Sequence, residues 1–565
     1  MREVEKRVFL KLLSRLVRNS FLRFDLVKNR YQIHELLRQY GEAKLSEDSA
    51  QETEVRDRHS RYFCDWLAPR EEVLKSAREN IAIKEITNES ENLRTACFWA
   101  AAQKRFSRLL QTVNPLGYFY RLSGDFHTGK ITFQKLSEHM ADFYHFPTHK
   151  VEIAQQILAR IYIWQSSFCG VLGDETESKT LLEKSLSFLE GLNSAGLDTR
   201  QMRAQAYQEL GFNHFSSNPQ KAERFFAQSR DLYKETGDRW GLVRALTGLG
   251  RAYRNMYAYQ EAQGAITQSL ELSRDIGNQH GYSDSLMMLG LLAHFQGRSE
   301  DALYLIRQGL STIPHYDLTG IAVGTCFLGY ALAGEGEFTE AERRLSEGID
   351  KFQELGYSEG FLFHMMGLGW IKMHMGKYQE VYEGALEALD LAEQLAHNRA
   401  TVVALENLGM IALAEKDYDK AQERLQESII GFRKLIRSPD ESGSEACLGL
   451  AVRGMGRRKE SWNHLKAGLR WAVEKHQFYP LVNALSGIAL VLTDEGEYER
   501  ALELFTLVLK YPFVANSCWF ENVAGGEIAA HTENLSPQVV EAARTKGNSL
   551  DLWQCAAELL DELHD

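Results

Sequence analysis

The sequence predicts an all-α protein, built as a superhelical α-solenoid of paired helices. The first observation is a series of Leu-Gly pairs, continued by Ile488-Ala489, in which successive pairs lie 39 or 40 residues apart. The second is helical spacing of apolar residues on both sides of a short turn, as in Leu242–Tyr253 and Ala262–Leu272. The third is a glycine that recurs in phase in that turn. The Leu-Gly pairs are 210–211, 249–250, 289–290, 328–329, 368–369, 408–409 and 448–449, and the turn glycines are Gly297, Gly336, Gly376, Gly456 and Gly496.

Two kinds of glycine have different expected roles within each unit. Gly237, Gly277 and Gly356 close second helices, where a left-handed residue ends the helix. The glycine of each Leu-Gly pair lies inside a helix, where it costs roughly 1 kcal/mol relative to alanine. We therefore expect a neighbouring helix to pass too close there for a side chain. The alanines twelve residues later belong to the same contact, and they are Ala262, Ala302, Ala341, Ala421 and Ala501.

These residues resemble the tetratricopeptide repeat (TPR) in a long, forty-residue form. The Leu-Gly pair, Tyr253 three residues on, the alanine twelve on and an apolar residue sixteen on follow its pattern, and glycine or a longer helix replaces its terminal proline. The apolar residues are Ile266, Ile306, Leu345, Leu425 and Phe505. The resemblance covers residues 199–510 and implies eight stacked units that cannot bury their apolar faces alone.

The segments on either side of the repeats extend the resemblance. Residues 1–45 read as a helix, a strand, a turn at Lys28-Asn29, a strand and a helix, which is the back half of a winged helix. Residues 46–198 read as a linker helix bundle with degenerate repeats, with Gly117, Gly129 and Phe133 in register, and 511–565 as capping helices. This order resembles the carboxy-terminal half of STAND-class signalling ATPases of the NB-ARC type, in which a winged helix leads through a linker bundle into a repeat sensor.

His34 is the residue that the family resemblance singles out. A Met-His-Asp triad in that family contacts the β-phosphate of bound ADP, and the matching positions here are Ile33, His34 and Glu35. The alternative is a histidine that only caps the strand-to-helix junction. The segment Gly124–Ile131 is nearest to a phosphate-binding loop but ends in isoleucine and follows no apolar strand, so we expect no nucleotide cofactor in this chain. ADP or ATP is implied only for an NTPase core attached in cis or acting in trans.

Composition narrows the classes of partner. The chain has 565 residues, 44% hydrophobic and 25% charged, with seven scattered cysteines and no C-x-x-C pair. Residues 1–45 carry a charge of +6 and the rest carry −18, which argues against a nucleic-acid groove along the repeats. The sequence shows no signal peptide and no apolar run long enough to span a membrane, so we expect a cytoplasmic protein without membrane partners.

The inner face of the repeats is the predicted ligand or partner groove. Helical spacing directs to it a basic group at one end, apolar and aromatic residues in the middle and Glu406 toward the other end. The predicted groove residues are Arg244, Arg251, Arg254, Met287, His294, Phe295, Tyr330, Phe363, Met366, Trp370, Met373, His374, Glu406 and Met410. Such a run favours a surface for a peptide, protein or small ligand. The alternative is that a tight superhelix closes and buries these side chains as core.

No pattern of catalytic residues is found, and we expect this chain not to be an enzyme. The histidines and methionines of Phe363–Lys377 fall on different helix faces, so no metal site is predicted. The favoured function is the sensor of a STAND-type protein that regulates an NTPase core and can oligomerise on activation. The alternative is a free-standing TPR scaffold. In the sensor hypothesis, a ligand changes the curvature of the solenoid and pulls the bundle at 53–190 away from the winged helix.

Overall fold

A computed structural model describes residues 3–26, 30–143, 147–394, 398–436, 444–533 and 535–562. The chain is an all-α solenoid with one two-stranded hairpin near the amino terminus. Helix α1 (Glu3–Arg18) is followed by β1 (Leu22–Asp25), β2 (Arg30–Ile33) and α2 (Glu35–Ser46). The strands pair antiparallel, with Leu22 opposite Ile33 and Asp25 opposite Arg30. The predicted turn at Lys28-Asn29 lies outside the described residues, and the winged-helix assignment stays a prediction.

A bundle of seven helices connects the hairpin to the repeats. They are α3 (Ser49–Leu67), α4 (Arg70–Leu74), α5 (Glu79–Ala102), α6 (Phe106–Ser123), α7 (Phe126–Met140), α8 (Thr148–Val171) and α9 (Glu175–Ser194). Two glycines let α8 approach its neighbours. A Cβ on Gly117 would lie 2.2 Å from the Trp164 ring, and one on Gly129 would lie 3.0 Å from the Phe168 ring. The aromatic rings of α8 thus occupy the space that the two glycines leave.

Eight helix pairs follow. They are α10 (Arg200–His214) and α11 (Pro219–Thr236), α12 (Arg239–Asn255) and α13 (Tyr259–Ile276), α14 (Gln279–Phe295) and α15 (Ser299–Thr312), α16 (Leu318–Gly334) and α17 (Phe338–Leu355), α18 (Ser358–His374) and α19 (Tyr378–Gln394), α20 (Asn398–Ala414) and α21 (Tyr418–Ile436), α22 (Glu445–Gly454) and α23 (Arg458–Glu474), and α24 (Phe478–Asp494) and α25 (Tyr498–Leu509). The first helix of each pair is the more buried, because it faces the inside of the superhelix.

The predicted role of the Leu-Gly glycines is confirmed. A Cβ on Gly329 would lie 2.2 Å from the Leu345 side chain and 3.0 Å from the Ala341 carbonyl oxygen. Gly250 and Gly290 meet Ile266 and Ile306 in the same way, at 2.4 and 2.6 Å. The residue sixteen positions later therefore forms the surface against which Gly250, Gly290, Gly329, Gly409 and Gly449 pack, whereas Gly211 packs on Phe226 and Gly369 has more space.

The chain ends in short helices that do two different things. They are α26 (Pro512–Ala515), α27 (Cys518–Phe520), a π-helical turn (Glu521–Gly525), α28 (Gly526–Thr532), α29 (Pro537–Ser549) and α30 (Leu552–Glu562). Helix α29 packs on α25 and α30 packs on α23, as a cap would. Residues 512–525 instead enter the superhelix and contact α16, α18 and α20. The sequence predicted only capping helices for this part of the chain. Within the described residues, no helix is long and apolar enough to cross a membrane.

Candidate ligand-binding groove

The superhelix turns tightly enough for distant units to touch across its interior. The Tyr259 hydroxyl donates to Gln477 at 3.1 Å, and the Tyr479 hydroxyl lies 2.9 Å from Nδ1 of His294. Nearer the amino terminus, the Ser216 hydroxyl donates to the carboxylate of Glu359. These contacts join residues more than 140 positions apart in the chain, so the inner face is not an open cleft along its whole length.

The middle of the predicted groove is core. Met287, His294, Tyr330, Met366, Met373, His374 and Met410 are all at most 8% exposed. Three more predicted residues, Phe295, Trp370 and Glu406, are half-buried against neighbouring units. Phe295 stacks on Tyr259, and the carboxylate of Glu406 accepts a hydrogen bond from Ser444 at 2.6 Å. For these positions the closed-superhelix alternative is the one that the structure shows, because side chains from elsewhere in the chain fill the space.

The filling comes from residues 512–525, which we call the inserted segment. The Phe513 ring lies 4.5 Å from His374, 4.7 Å from Tyr479 and 5.1 Å from Trp370, with Trp370 stacked on it. The Trp519 indole donates to the carbonyl oxygen of Met410 at 2.9 Å. Burying the Phe513 and Trp519 side chains supplies the apolar contact area that a ligand would otherwise provide.

Three buried histidines are paired inside this core. His294 pairs with Tyr479, His364 with Tyr330 at 3.1 Å, and His374 with the Ser517 hydroxyl at 2.7 Å. Burial lowers the pKa of each of the three to about 3, so they are neutral at physiological pH. Their hydrogen bonds fix ring positions in an apolar interior rather than preparing a proton transfer.

The amino-terminal part of the inner face is less completely buried than the middle, and we call it the amino-terminal chamber. Arg244, Arg251 and Phe363 are half-buried there, while Arg254 is only 8% exposed. Arg244 lies over the Phe212 ring at 4.6 Å and pairs with Glu209 at 2.6 Å. Arg251 pairs with Asp284 at 2.7 Å, and both side chains keep about a fifth of their exposure. The chamber therefore combines cations, aromatic rings and solvent.

Glu209 connects the chamber to the linker bundle. Its carboxylate accepts from Arg244 of α12 and from Arg121 of α6, the latter at 2.8 Å. Burial alone would raise the pKa of this carboxyl, but the two guanidinium groups lower it to about 2. It therefore remains ionised and joins α6, α10 and α12 in one network.

Several chamber residues were not predicted from the sequence. Glu209 lies inside the inner helix α10, Tyr357 directly precedes α18, and Glu359 and Arg399 lie in the first turns of α18 and α20. Burial raises the pKa of Glu359 to about 7, opposed by the Ser216 hydrogen bond and by the charges of Arg251 and Arg254. A search for charged residues in the first turn of each inner helix would have found Glu359 and Arg399.

His34 caps helix α2. Its Nδ1 accepts a hydrogen bond from the backbone N–H of Leu36 at 3.3 Å, as the capping alternative predicts. The His34 side chain is exposed beside this cap. The phosphate contact that the family resemblance implies for His34 stays a prediction.

The described residues provide neither a metal site nor a phosphate loop. No group of three or more His, Cys, Asp or Glu could hold a metal ion in that part of the chain. Gly124, with a φ of 72°, ends α6, and Asp125 caps α7 by accepting from Thr128. Gly124 and Asp125 thus form a turn between two helices and residues 126–131 begin α7, so the segment lacks the strand that a phosphate-binding loop needs.

Comparison with known proteins agrees with the class that the fold defines. The sequence model of the tetratricopeptide repeat matches residues 245–279, and no curated protein sequence matches the chain. One segment of this α-solenoid therefore matches the tetratricopeptide repeat at the level of sequence.

Three solved structures resemble this fold. A Rap protein complexed with competence and sporulation factor is 12% identical, with 64% of this chain and 96% of that chain covered and a TM-score of 0.47. A STAND protein with a TPR sensor from Pyrococcus horikoshii is 14% identical, with 74% and 57% covered and a TM-score of 0.42. NprR in complex with its cognate peptide NprX is 10% identical, with 61% and 95% covered and a TM-score of 0.44. At these identities the likeness is one of fold alone.

Proposed function

We propose that this chain is the ligand-sensing half of a STAND-type signalling NTPase, without catalytic activity of its own. Its ligand is a protein, a peptide or a small molecule that enters the amino-terminal chamber, and its output is the state of an NTPase core attached in cis or bound in trans. The observation that carries the proposal is the chamber itself. Arg244 and Arg251 keep part of their exposure there, aromatic rings lie beside them, and Glu209 connects the chamber to the linker bundle.

The proposed division of labour follows the order of the chain. Residues 1–45 face the NTPase core, 46–198 form the linker bundle, 199–510 form the sensor, and 511–565 close it. Activation can include oligomerisation, and the sensor acts in the cytoplasm.

A continuous set of contacts supports coupling between the chamber and the hairpin. The chamber network reaches α6 through Arg121, and α6 packs on α5. At the other end of the bundle, Arg30 of β2 donates to the carbonyl oxygen of Asn88 at 2.5 Å and forms an ion pair with Glu89 of α5. A ligand that competes for Arg244 would loosen the Glu209 network and shift α6 and α5, and with them the hairpin that carries His34.

The ligand part of the proposal is tested by replacing one inner ion pair. The test uses a variant with Arg251→Ala and Asp284→Ala, so that neither partner is left unpaired. The matched control replaces an exposed pair on the outer helix α17, Arg343→Ala with Glu340→Ala. The three proteins are incubated with source-cell lysate, and the captured proteins, peptides and small molecules are identified by mass spectrometry. Binding of each captured species is then measured directly with the purified proteins.

We expect a species that binds the wild type and the outer control and is lost from the inner variant. Equal binding to all three proteins would rule out the chamber as the site. Loss from the outer control alone would support the free-standing scaffold, with the outer face as its binding surface.

The coupling part of the proposal is tested at His34. The chain is joined to a STAND-type nucleotide-binding core, and the rate of ADP release is measured by stopped-flow fluorescence. Loss of a charge-assisted hydrogen bond to a phosphate costs about 1.5–3 kcal/mol, so His34→Ala should release ADP about 10- to 100-fold faster. His149→Ala, which replaces another exposed histidine, serves as the control. Equal rates in the two variants would refute the role of His34.

A further inference from the structure

The chamber contains a buried guanidinium, that of Arg254, which is 8% exposed. Arg254 lies in the last turn of α12, and its side chain donates to Oδ1 of Asn255, from Nε at 3.2 Å and from Nη2 at 3.0 Å. Within the described part of the chain it forms no salt bridge, although the neighbouring Arg244 and Arg251 each have one. Buried charges in proteins are normally paired, since an unpaired one costs several kcal/mol.

Neighbouring side chains fix the position of the Arg254 guanidinium. Asn255 accepts from Arg254 with its side-chain oxygen and donates with its side-chain nitrogen to the carbonyl oxygen of Phe215 at 2.9 Å. The Phe363 ring of α18 lies 5.6 Å from the guanidinium carbon. Helices from three different units therefore fix the guanidinium inside the chamber.

The surroundings of Arg254 carry an excess of positive charge. Burial lowers its pKa to about 9, with further lowering by the charges of Arg251 and Arg399, so the group is still a cation at neutral pH. Arg399 begins the inner helix α20 and lies beside the Tyr257 hydroxyl. Glu359 is a carboxyl group of the chamber that interacts electrostatically with Arg254. It accepts a hydrogen bond from Ser216 and is only partly ionised at neutral pH.

We propose that the amino-terminal chamber binds an oxyanion, a carboxylate or a phosphate group, with the Arg254 guanidinium as its main contact and Arg251 and Arg399 as supporting charges. The planar guanidinium matches both groups by donating two parallel hydrogen bonds. Phe363 and Phe215 contact the apolar part of the same ligand. This inference rests on the proposed function only in that the ligand enters the same chamber; it adds the chemical class of the group that anchors it.

An oxyanion site and a structural arginine predict opposite effects of substitution. If Arg254 only supports the fold, replacing it destabilises the free protein. If Arg254 instead binds an oxyanion ligand, replacing it removes a buried charge without a salt bridge, and the ligand-free protein becomes equally stable or more stable. The same replacement then removes the response to anions.

The test uses the full chain and small probes of defined chemistry. Thermal unfolding is followed with increasing inorganic phosphate, with glutarate and with neutral glutaramide, all at one ionic strength set with chloride. Wild type is compared with Arg254→Gln, Arg399→Gln and the control Arg343→Gln, which replaces an exposed arginine of α17. A ligand that binds the folded state raises the melting temperature in a concentration-dependent way.

We expect wild type and Arg343→Gln to be stabilised by an oxyanion and not by glutaramide. Arg254→Gln should weaken the apparent affinity at least tenfold, with an unchanged or higher melting temperature without ligand, and Arg399→Gln should weaken it less. Response to glutarate alone assigns a carboxylate, and response to phosphate alone assigns a phosphate.

Three results would overturn the inference: no anion-specific stabilisation of the wild type, equal stabilisation of Arg254→Gln, or an Arg254→Gln protein that melts lower or fails to fold. If Arg254→Gln fails to fold, an unchanged response in Arg399→Gln would independently exclude the site. A lysate ligand that still binds the wild type in the absence of any anion effect would leave the proposed function intact and remove only this inference.

Discussion

Replacing Phe513 with alanine should open the interior of the superhelix. The side chain is 1% exposed, and its ring is surrounded by His374, Tyr479 and Trp370 at 4.5 to 5.1 Å. Removing a buried phenylalanine costs about 3–5 kcal/mol, because the surrounding rings cannot collapse fully into the space. Since 1.4 kcal/mol is tenfold in an equilibrium constant, local opening should become about 100- to 4,000-fold more frequent.

Hydrogen exchange followed by mass spectrometry measures this effect segment by segment. We expect faster exchange in peptides from residues 512–525 and also from α18 and α24, which the Phe513 ring contacts from both sides. Tyr304→Ala is the matched control, because that side chain is 68% exposed on α15 and its removal should change little. If exchange in α18 and α24 changes less than tenfold, the inserted segment does not stabilise the interior and the reasoning fails.

Two further predictions concern stability. The pKa of Glu359 is raised from 4.5 to about 7 in the folded protein, so its stabilising contribution is present below pH 4.5 and is lost as the pH rises through 7. The free energy of unfolding should fall by about 1–3 kcal/mol over this range in the wild type and should not fall in this way in Glu359→Gln. Urea unfolding at pH 5, 6, 7 and 8 measures the difference. A wild-type curve parallel to that of the variant would contradict the assignment. Gly329→Val should lower the free energy of unfolding of the protein by at least about 1–3 kcal/mol, because its Cβ would lie 2.2 Å from Leu345. In the control Gly264→Ala the new Cβ meets nothing within 4 Å, so the same assay should show a rise of up to about 1 kcal/mol. Equal destabilisation in both would refute the close-packing account.

The repeats were predictable because their packing is local. In most units the Leu-Gly glycine and the apolar residue sixteen positions later lie within one helix pair, so the period in the sequence records their contact directly. The same local pattern placed the inner-face residues correctly on the first helix of each pair. Sequence periodicity of this kind determines the pair and the face it turns inward.

The contents of the groove were not predictable for the opposite reason. Trp370 and His374 occupy the inner face whether that face is open or filled, and the residues that fill it, Phe513 and Trp519, lie more than 100 positions away. Their segment carries no repeat period that would connect it to α18. In the sequence, Arg254 looks equivalent to Arg244 and Arg251. Only the structure shows that Glu209 and Asp284 form salt bridges with those two arginines and not with Arg254.

The inserted segment also sets the order in which the protein can be completed during synthesis. Asn516 donates to the carbonyl oxygen of Gly336, a residue made 180 positions earlier. Repeats in a simple array finish folding as each neighbour arrives, but these central units keep an unfilled apolar interior until the chain beyond residue 512 has left the ribosome. Contacts of such long range slow folding and leave apolar surface exposed meanwhile. A ribosome that stalls after the last repeat would therefore hold a nascent chain that contains every helix pair but still exposes the apolar interior of the superhelix, which favours aggregation.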